Sequence, residues 1–395
     1  MGVYANTVSI TQFAVTGELP GTDQFQWFSK KLSDRGFSSI ENSTEESSEG
    51  WSLVDRPDDS TFDVPSEFWR DNVLVFSLRR DQRKIPAAVL KSHTGREEGA
   101  FLAQNVNLRR TPKHKRDEIK EQVQLRLLGR CLPVPSIVDV VWDLTSGVLT
   151  LYSLGTKVIE RFEDLFRKTF EGFSLVIIHP FARARNLLSG QQLDALEAAN
   201  QAGSDAVVAL IRENQWLGCE FMLWLLQRGV NGEGEFPVCC PGHHAVGEKY
   251  TAWIDDRIQF LGGGAEGGIQ KVTVSGSQDS YLEAISALKG GKRITSATIC
   301  IDKDDNPWKL TLKGDTFGFA SFKCPQVRVE KDATVDQSSE REAAFYERMF
   351  LMDQGLQLFD SLYTTFLKER LTDSWNGRLQ AVQAWLNGEQ IDEIH

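Results

Sequence analysis

The chain has 395 residues, 41% of them hydrophobic and 25% charged, with a formal net charge of −11 and an isoelectric point near 5.2. This is the composition of a globular chain long enough for two or more domains and a sizeable core. It excludes a protein that coats nucleic acid with its whole surface, so any anion site must be local. No apolar run reaches the ~18 residues of a membrane span. The opening "MGVYANTVSITQFAV" lacks a basic segment followed by an apolar core, and cysteines 131, 219, 239, 240, 300 and 324 are dispersed apart from one adjacent pair. Both features predict a reducing, cytoplasmic setting without a disulfide framework.

In chain order, "YANTVSITQFAV" predicts a strand and "GTDQFQWFSKKLSDRGF" an amphipathic helix with Phe25, Phe28 and Leu32 on one side. "ENSTEESSEG" reads as a solvated loop, "GWSLVD" as a short strand and "NVLVFSLRRDQRKIP" as a strand running into a basic turn. A helix around Lys91–Asn105 and a second to about Leu128 form a helical hairpin. "IVDVVWDLTSG" and "VLTLYSLG" are strands meeting at Thr145-Ser146-Gly147. "KVIERFEDLFRKTF" is an amphipathic helix and "SLVIIHPF" a buried strand. "SGQQLDALEAANQ" and "AVVALIRENQWLGCEFMLWLLQRG" look helical, and "VNGEGEFPVCCPGHHAVGEK" irregular. Strands return with "YTAWIDDRIQFLG", "IQKVTVSG", "ITSATICID", "WKLTLKG" and "FGFASFKC", with the helix "SQDSYLEAISALKGG" among them. A long helix over Ser339–Arg370 carries Phe345, Met349, Met352, Leu356, Phe359 and Phe366, and "SWNGRLQAVQAWLNG" follows it.

One window opposes the global charge. Arg79 to Arg130 holds 14 Lys/Arg against 6 Asp/Glu, with Arg109, Arg110, Lys113, Lys115, Arg116 and Lys120 in "LRRTPKHKRDEIKEQV". Thr111-Pro112 reads as a helix start, a hydroxyl N-cap followed by Pro, and Ile119, Val123 and Leu127 supply an apolar stripe. Cations in the first turns of a helix cost roughly 0.3–1 kcal/mol each against its dipole unless an anion answers them. Asp117 and Glu118 answer only part. A polyphosphate backbone would satisfy the cluster and the positive helix end together.

Other motifs carry less. "FLGGGAEGGIQ" spells G-x-G-x-x-G, but a strand-like run follows where a dinucleotide site needs a helix, so it reads as a hairpin loop. "GGKRIT" lacks the spacing of a P-loop. "DKDDNPWKLTLK" begins like a calcium loop but places Pro307 where Gly is needed and Lys313 where Glu is needed; it reads as a turn. "CCPGHH" gathers Cys239, Cys240, His243 and His244, yet adjacent cysteines rarely both reach one tetrahedral ion, so no metal is expected. Asp255 and Asp256 are strand neighbours pointing to opposite faces and cannot hold one metal by that spacing. No Ser/His/Asp frame is present, and no cofactor is expected.

The run from Arg83 to Phe170 resembles the bacterial RdgC family of recombination-associated proteins. The matching pieces are Ile85–Leu90, Lys120–Val123 with Leu127–Arg130, Trp142-Asp143 with Gly147, and Ser153–Lys157. "EGWSLV", "ALKGGKRITSATICID" with Lys292 in its turn, and "FYERMFLMDQGLQLFDSL" extend the likeness discontinuously. The chain departs from the family in extra material around 190–265 and in "LLGRCL", where Leu132 replaces an aromatic. The resemblance implies sequence-independent binding of double-stranded DNA by a ring-shaped homodimer, modulation of a RecA-type recombinase, a nucleoid location and no catalytic activity.

The predicted fold is α+β: mixed or antiparallel sheet domains with a projecting basic helical hairpin and a helical C-terminus. A sheet domain spans 1–185 with the hairpin at 91–130, a helical and irregular insertion 186–250, a second sheet domain 251–335, and C-terminal helices 336–395. The predicted phosphate contacts are Arg109, Arg110, Lys113, Lys115, Arg116 and Lys120, with Arg79, Arg80, Arg83, Lys84 and Lys292 secondary. The rival reading is a non-catalytic scaffold whose basic helix docks an acidic partner; an enzyme stands third.

Overall fold

The structure, a computed structural model, describes residues 2–43, 45–264, 267–276, 281–327 and 337–388. The chain begins with β1 (Thr7–Thr16) and α1 (Gln24–Asp34), whose Phe28 and Leu32 are buried as the helical spacing requires. β2 (Ser47–Ser52) starts inside the stretch read as a solvated loop. A helical turn, α2 (Pro65–Phe68), and β3 (Trp69–Arg70) lead into β4 (Val73–Arg83). β4 corrects the reading of a basic turn, because the strand runs through Arg79–Arg83. The hairpin is α3 (Ala87–Gln104) and α4 (Lys113–Leu128), the first starting four residues ahead of its predicted place.

Next come β5 (Pro133–Asp143), β6 (Val148–Leu151), α5 (Thr156–Thr169) and β7 (Ser174–Ile177). Gly147, at φ 69°, makes the left-handed turn ahead of β6 that a side chain would strain. The end of the predicted strand "SLVIIHPF" is instead a helix, α6 (Pro180–Leu187), opened by Pro180 at its first position, and α7 (Gln191–Ala198) follows. The long helical run beyond breaks into α8 (Val207–Glu213) and α9 (Trp216–Val230). The break is at Asn214, whose side-chain oxygen accepts from the Gln201 N–H and the Trp216 indole, both at 3.1 Å, while its amide donates to Asn200. Such side-chain bonds compete with the helical ladder.

β8 (Glu235–Pro237) lies within the stretch read as irregular, followed by β9 (Lys249–Gly264) and β10 (Gly268–Ser275). β9 and β10 pair up to Gly264 opposite Gly268, so the glycine run belongs to a hairpin; Ala265 and Glu266 lie outside the described residues. α10 (Leu282–Lys289) covers the described part of its predicted helix; residues 277–280 lie outside it. β11 (Arg293–Lys303) and β12 (Asn306–Lys313) join through Asp304 and Asp305, both at positive φ, a turn as expected. β13 (Phe319–Lys323), α11 (Gln337–Arg370) and α12 (Ser374–Asn387) complete an α+β fold.

The chain divides into two compact units. One comprises the described residues of 1–16, 146–161 and 174–395. Its antiparallel sheet has the order β10-β9-β11-β12-β13-β1-β6, with β8 on β9 and β7 on β1. The three C-terminal segments separated in the sequence reading all lie in this unit. From Gln357 to Leu367 the helix α11 is buried on nearly every side, which is why its apolar residues form no single stripe. Phe359 packs against Phe221, Phe317 and Phe319, and Trp308 donates to the Leu351 carbonyl at 2.8 Å. Gly218 of α9 sits against Gly314, where a Cβ on Gly218 would overlap the Gly314 carbonyl, so the two backbones meet only because residue 218 is glycine.

The other unit comprises 17–145 and 162–173. Its strands β5-β4-β2 are antiparallel, β3 adds to β4, and α3 and α4 pack on each other. Its core is aromatic: Trp51 meets Phe76 and Phe162 edge to face, and Phe28, Trp142, Phe166 and Phe170 interlock beside them. The Trp51 indole donates to Thr169 at 2.8 Å, which satisfies the one polar atom this residue takes into the core.

His179, ahead of α6, is 1% exposed and its Nδ1 has no partner among the described residues. Burial, aided by the Arg185 charge, pushes its pKa down to about 4 from an ordinary 6.5. Its stabilising contribution is therefore complete above pH ~6.5 and is lost as the pH falls toward ~4, because only the unfolded chain takes up the proton. Urea midpoints measured from pH 7.5 to 4.5 should show a loss of up to ~1.4 kcal/mol per pH unit from this residue. His179→Gln should flatten that slope whatever its effect on absolute stability.

Candidate nucleic-acid interface

The hairpin holds itself together with a small core. Ile119, Val123 and Leu127 of α4 are buried against Ile85, Leu90 and Phe101, while α3 has no fully buried residue. Two ion pairs cross between its helices, Arg126 to Glu97 at 2.8 Å and Arg116 to Glu98 at 3.5 Å. Lys115 pairs with Glu118 at 2.8 Å within α4 and lies over the Phe101 ring. The hydrogen bond from Lys115 holds the Glu118 carboxyl below its ordinary pKa.

The helix start falls one residue later than the sequence suggests. Pro112 is the N-cap, in an extended conformation, whereas Thr111 is buried with its hydroxyl unbonded among the described residues. The cap box therefore holds a residue with no side-chain acceptor, and the first turn contains no acidic residue. Its open N–H groups belong to the same turn as Lys113, Lys115 and Arg116, so helix dipole and cations carry the same sign.

The predicted cations separate into two groups. Arg109 and Arg110 in the connection between α3 and α4, with Lys113 and Lys120 of α4, are exposed and carry no ion pair among the described residues. Arg116 is exposed and holds Glu98 only loosely. Lys113, Arg116 and Lys120 recur at i, i+3 and i+7 and share a face of the helix. Lys84 is exposed as well, and Arg80 is half-buried with Glu49 at 3.8 Å. Lys292 lies in the other unit, half-buried in the turn before β11.

Arg79 and Arg83 require a correction. Arg79 is 8% exposed; its guanidinium makes paired bonds of 2.9 and 3.0 Å to Asp81, bonds Asp58 and the Pro57 carbonyl, and stacks on Phe37. Arg83 is 5% exposed and donates to five carbonyls, those of Ile40, Glu41, Ser43, Leu128 and Cys131. The Leu128 bond places its charge at the negative end of α4, which ties the hairpin to the sheet. Both guanidinium groups are buried, and Arg83 Nε, which has no partner among the described residues, is itself enclosed, so neither reaches a phosphate on the surface.

Sequence reasoning passed over Lys91 and Arg96 of α3 and Arg130 after α4, which the structure leaves exposed on the same hairpin. They fell within the counted basic window and needed only the hairpin's geometry to be singled out. Apolar side chains stand beside the cations: Val106 is 88% exposed, Leu125 66% and Leu132 82%.

Among the described residues no three His, Cys, Asp or Glu side chains are placed to hold a metal. Asp255 faces Lys309 at 4.0 Å, and the side chain of Asp256 lies outside the described residues. Among the described residues no helix is long and apolar enough to cross a membrane.

These features define an α+β protein that presents a two-helix hairpin with an uncompensated basic edge. Residues 10–191, which include the whole hairpin, match the family model described as "RdgC: Putative exonuclease, RdgC". The likeness to that family covers just under half of the chain and includes the whole unit that carries the hairpin. The match stops short of Lys292 and of the C-terminal helices. No curated protein matches the chain.

Proposed function

We propose that this protein binds double-stranded DNA without reading its sequence, through phosphate contacts made by the hairpin. The observation that carries the reading is the group Arg109, Arg110, Lys113, Arg116 and Lys120: exposed, gathered before and along the first half of α4, and answered among the described residues only by Glu98, 3.5 Å from Arg116, in a chain of net charge −11. Lys115 shares its charge with Glu118 and contributes less; Arg80, Lys84, Lys91, Arg96 and Arg130 widen the footprint. None of these groups has a base-reading geometry of its own, so affinity is electrostatic and uniform across sequences. The acting species is a ring-shaped homodimer with a basic lining and an acidic exterior, located at the nucleoid, that modulates a RecA-type recombinase without cutting DNA.

Duplex binding measured from 50 to 300 mM salt tests this. Five phosphate contacts from each protomer of the homodimer give a slope of about −9 in log K against log salt, the same on unrelated duplexes. A flat salt dependence, or no retardation of any duplex at low salt, would favour the scaffold that docks an acidic partner. The family description favours a second reading, an exonuclease; shortening of linear duplex that depends on added magnesium or manganese would establish it over ours.

A further inference from the structure

Behind the loop between β8 and β9 lies a pair of thiols outside the DNA-binding reading. Val238 and Glu248 pinch this loop at its neck, the Val238 N–H donating to the Glu248 carbonyl at 2.7 Å. Two side chains of α11 clasp its interior. Ser361 Oγ accepts from the backbone N–H groups of both Cys239 and Cys240 at 3.1 Å. The Gln357 amide donates to the Cys240 and His244 carbonyls at 2.9 and 2.8 Å, and its oxygen accepts from the His244 N–H at 2.8 Å. Gly242 has room for no side chain, because a Cβ there would meet Gln357 at 2.5 Å.

The clasp holds the sulfurs in unlike surroundings. Cys240 is 8% exposed, its Sγ 3.4 Å from the Thr364 hydroxyl, while Cys239 is half-buried with Sγ 3.4 Å from the Ser361 carbonyl oxygen. The groups facing the pair are Asp360 and Lys368 of α11 and Tyr250 of β9. The Cys240 thiol donating to its neighbour's sulfur, with Lys368 and the Ser361 and Thr365 hydroxyls beside it, draws Cys239 toward the thiolate. The same contact, with burial, pushes Cys240 up and keeps it protonated. By contrast, burial pushes Cys219 and Cys324 up to about 11 and leaves them inert.

We propose that Cys239 and Cys240 are an oxidisable vicinal dithiol, with Cys239 the attacking thiolate, Cys240 the resolving thiol, and a low-molecular-weight disulfide such as glutathione disulfide the oxidant. The Cys239 sulfur attacks one sulfur of that disulfide; the bond between its two sulfurs breaks, and one half leaves as a thiolate that takes a proton from water. Cys240 then gives up its proton and attacks the Cys239 sulfur, displacing the second half, which accepts that proton. Two electrons pass from the protein to the small disulfide, which leaves as two thiols. Adjacent Cα atoms lie 3.8 Å apart across a trans peptide, below the usual 4.4–6.8 Å of a disulfide, so the closed ring is strained and easily reduced. It is suited to a reversible change rather than a permanent staple. Closing it moves both sulfurs from their contacts on α11 and loosens the loop there.

The test uses the full chain, incubated with glutathione disulfide, quenched in acid, alkylated and mapped by peptide mass. In the wild type the peptide carrying both residues should lose two hydrogens, carry no adduct, and recover on mild reduction. Cys240→Ser should accumulate glutathione on Cys239; Cys239→Ser should carry neither adduct nor crosslink. The wild-type measurement stands without either variant folding. The proposal is overturned if Cys131 or Cys219, the two other half-exposed cysteines, is modified while 239 and 240 stay free. It is equally overturned if a glutathione adduct persists on wild-type Cys239, since Cys240 then resolves nothing. DNA binding enters neither outcome.

Discussion

Reversing Arg109, Arg110, Lys113 and Arg116 together to Glu should abolish duplex binding, and to the same degree on unrelated sequences. Each lost phosphate contact removes about 0.9 from the salt slope, so losing four of five on each protomer would leave a slope near −1.8 for the dimer even before repulsion is counted. Four new carboxylates beside the backbone then add a repulsive term that low salt cannot relieve. Folding is not the casualty. The first turn of α4 has no acidic residue and a cap with no side-chain acceptor, so carboxylates at 113 and 116 suit the dipole by roughly 0.3–1 kcal/mol each. The variant should thus be at least as resistant to urea as the parent while failing to retard DNA. Gel retardation and urea unfolding of the same preparation check both halves. Unchanged retardation would remove the hairpin edge as the interface.

Arg79→Ala should do the opposite: destabilise the second unit by about 3–5 kcal/mol and leave the salt slope of the remaining folded protein unchanged. The side chain is 10% exposed and its partner Asp81 only 3%, so truncation strands a buried carboxylate without its guanidinium. The bonds from Asp81 also hold the Arg79 pKa above its ordinary value, so no accessible pH uncouples the pair. Replacing both residues with apolar ones, Arg79→Met with Asp81→Leu, should recover most of the loss, because the unpaired charge disappears with its partner. Denaturant unfolding of the single and double variants reads this directly. A single variant of normal stability but weakened DNA binding would return Arg79 to the interface.

The contrast between those two clusters explains what could be read early. Helical periods placed Ile119, Val123 and Leu127 on the buried stripe of α4, and the turns at 145–147 and at Asp304-Asp305 fell between strands as expected, while the glycine run is drawn into the pairing of β9 with β10. Burial of Phe28 and Leu32 in α1 followed from spacing alone. Where side-chain bonding competes with the backbone, the reading lapsed: Asn214 divides one apparent helix into two, and Thr111, with the chemistry of a cap, is buried beside the proline that takes its place. The end of β4 was misjudged for a related reason. Arg79, Asp81 and Arg83 alternate with period two and share a face, but charge was taken to mean a turn.

Local sequence therefore determined the element types, the hairpin, the net excess of positive charge within it and the apolar stripe that closes it. Periodicity and charge count are properties of neighbours in the chain, and neighbours suffice to set them. Which arginines remain available for a partner was decided only by tertiary contact. Arg79 and Arg109 are the same side chain in the same basic window, yet Asp81 two residues on, together with Asp58 and carbonyls delivered from residues 40–57 and 128–131, consumes the charges of β4, whereas nothing among the described residues reaches Arg109, Arg110, Lys113 or Lys120. A cation's usefulness depends on whether the fold has already answered it, and apart from Asp81 the groups that answer are distant in sequence.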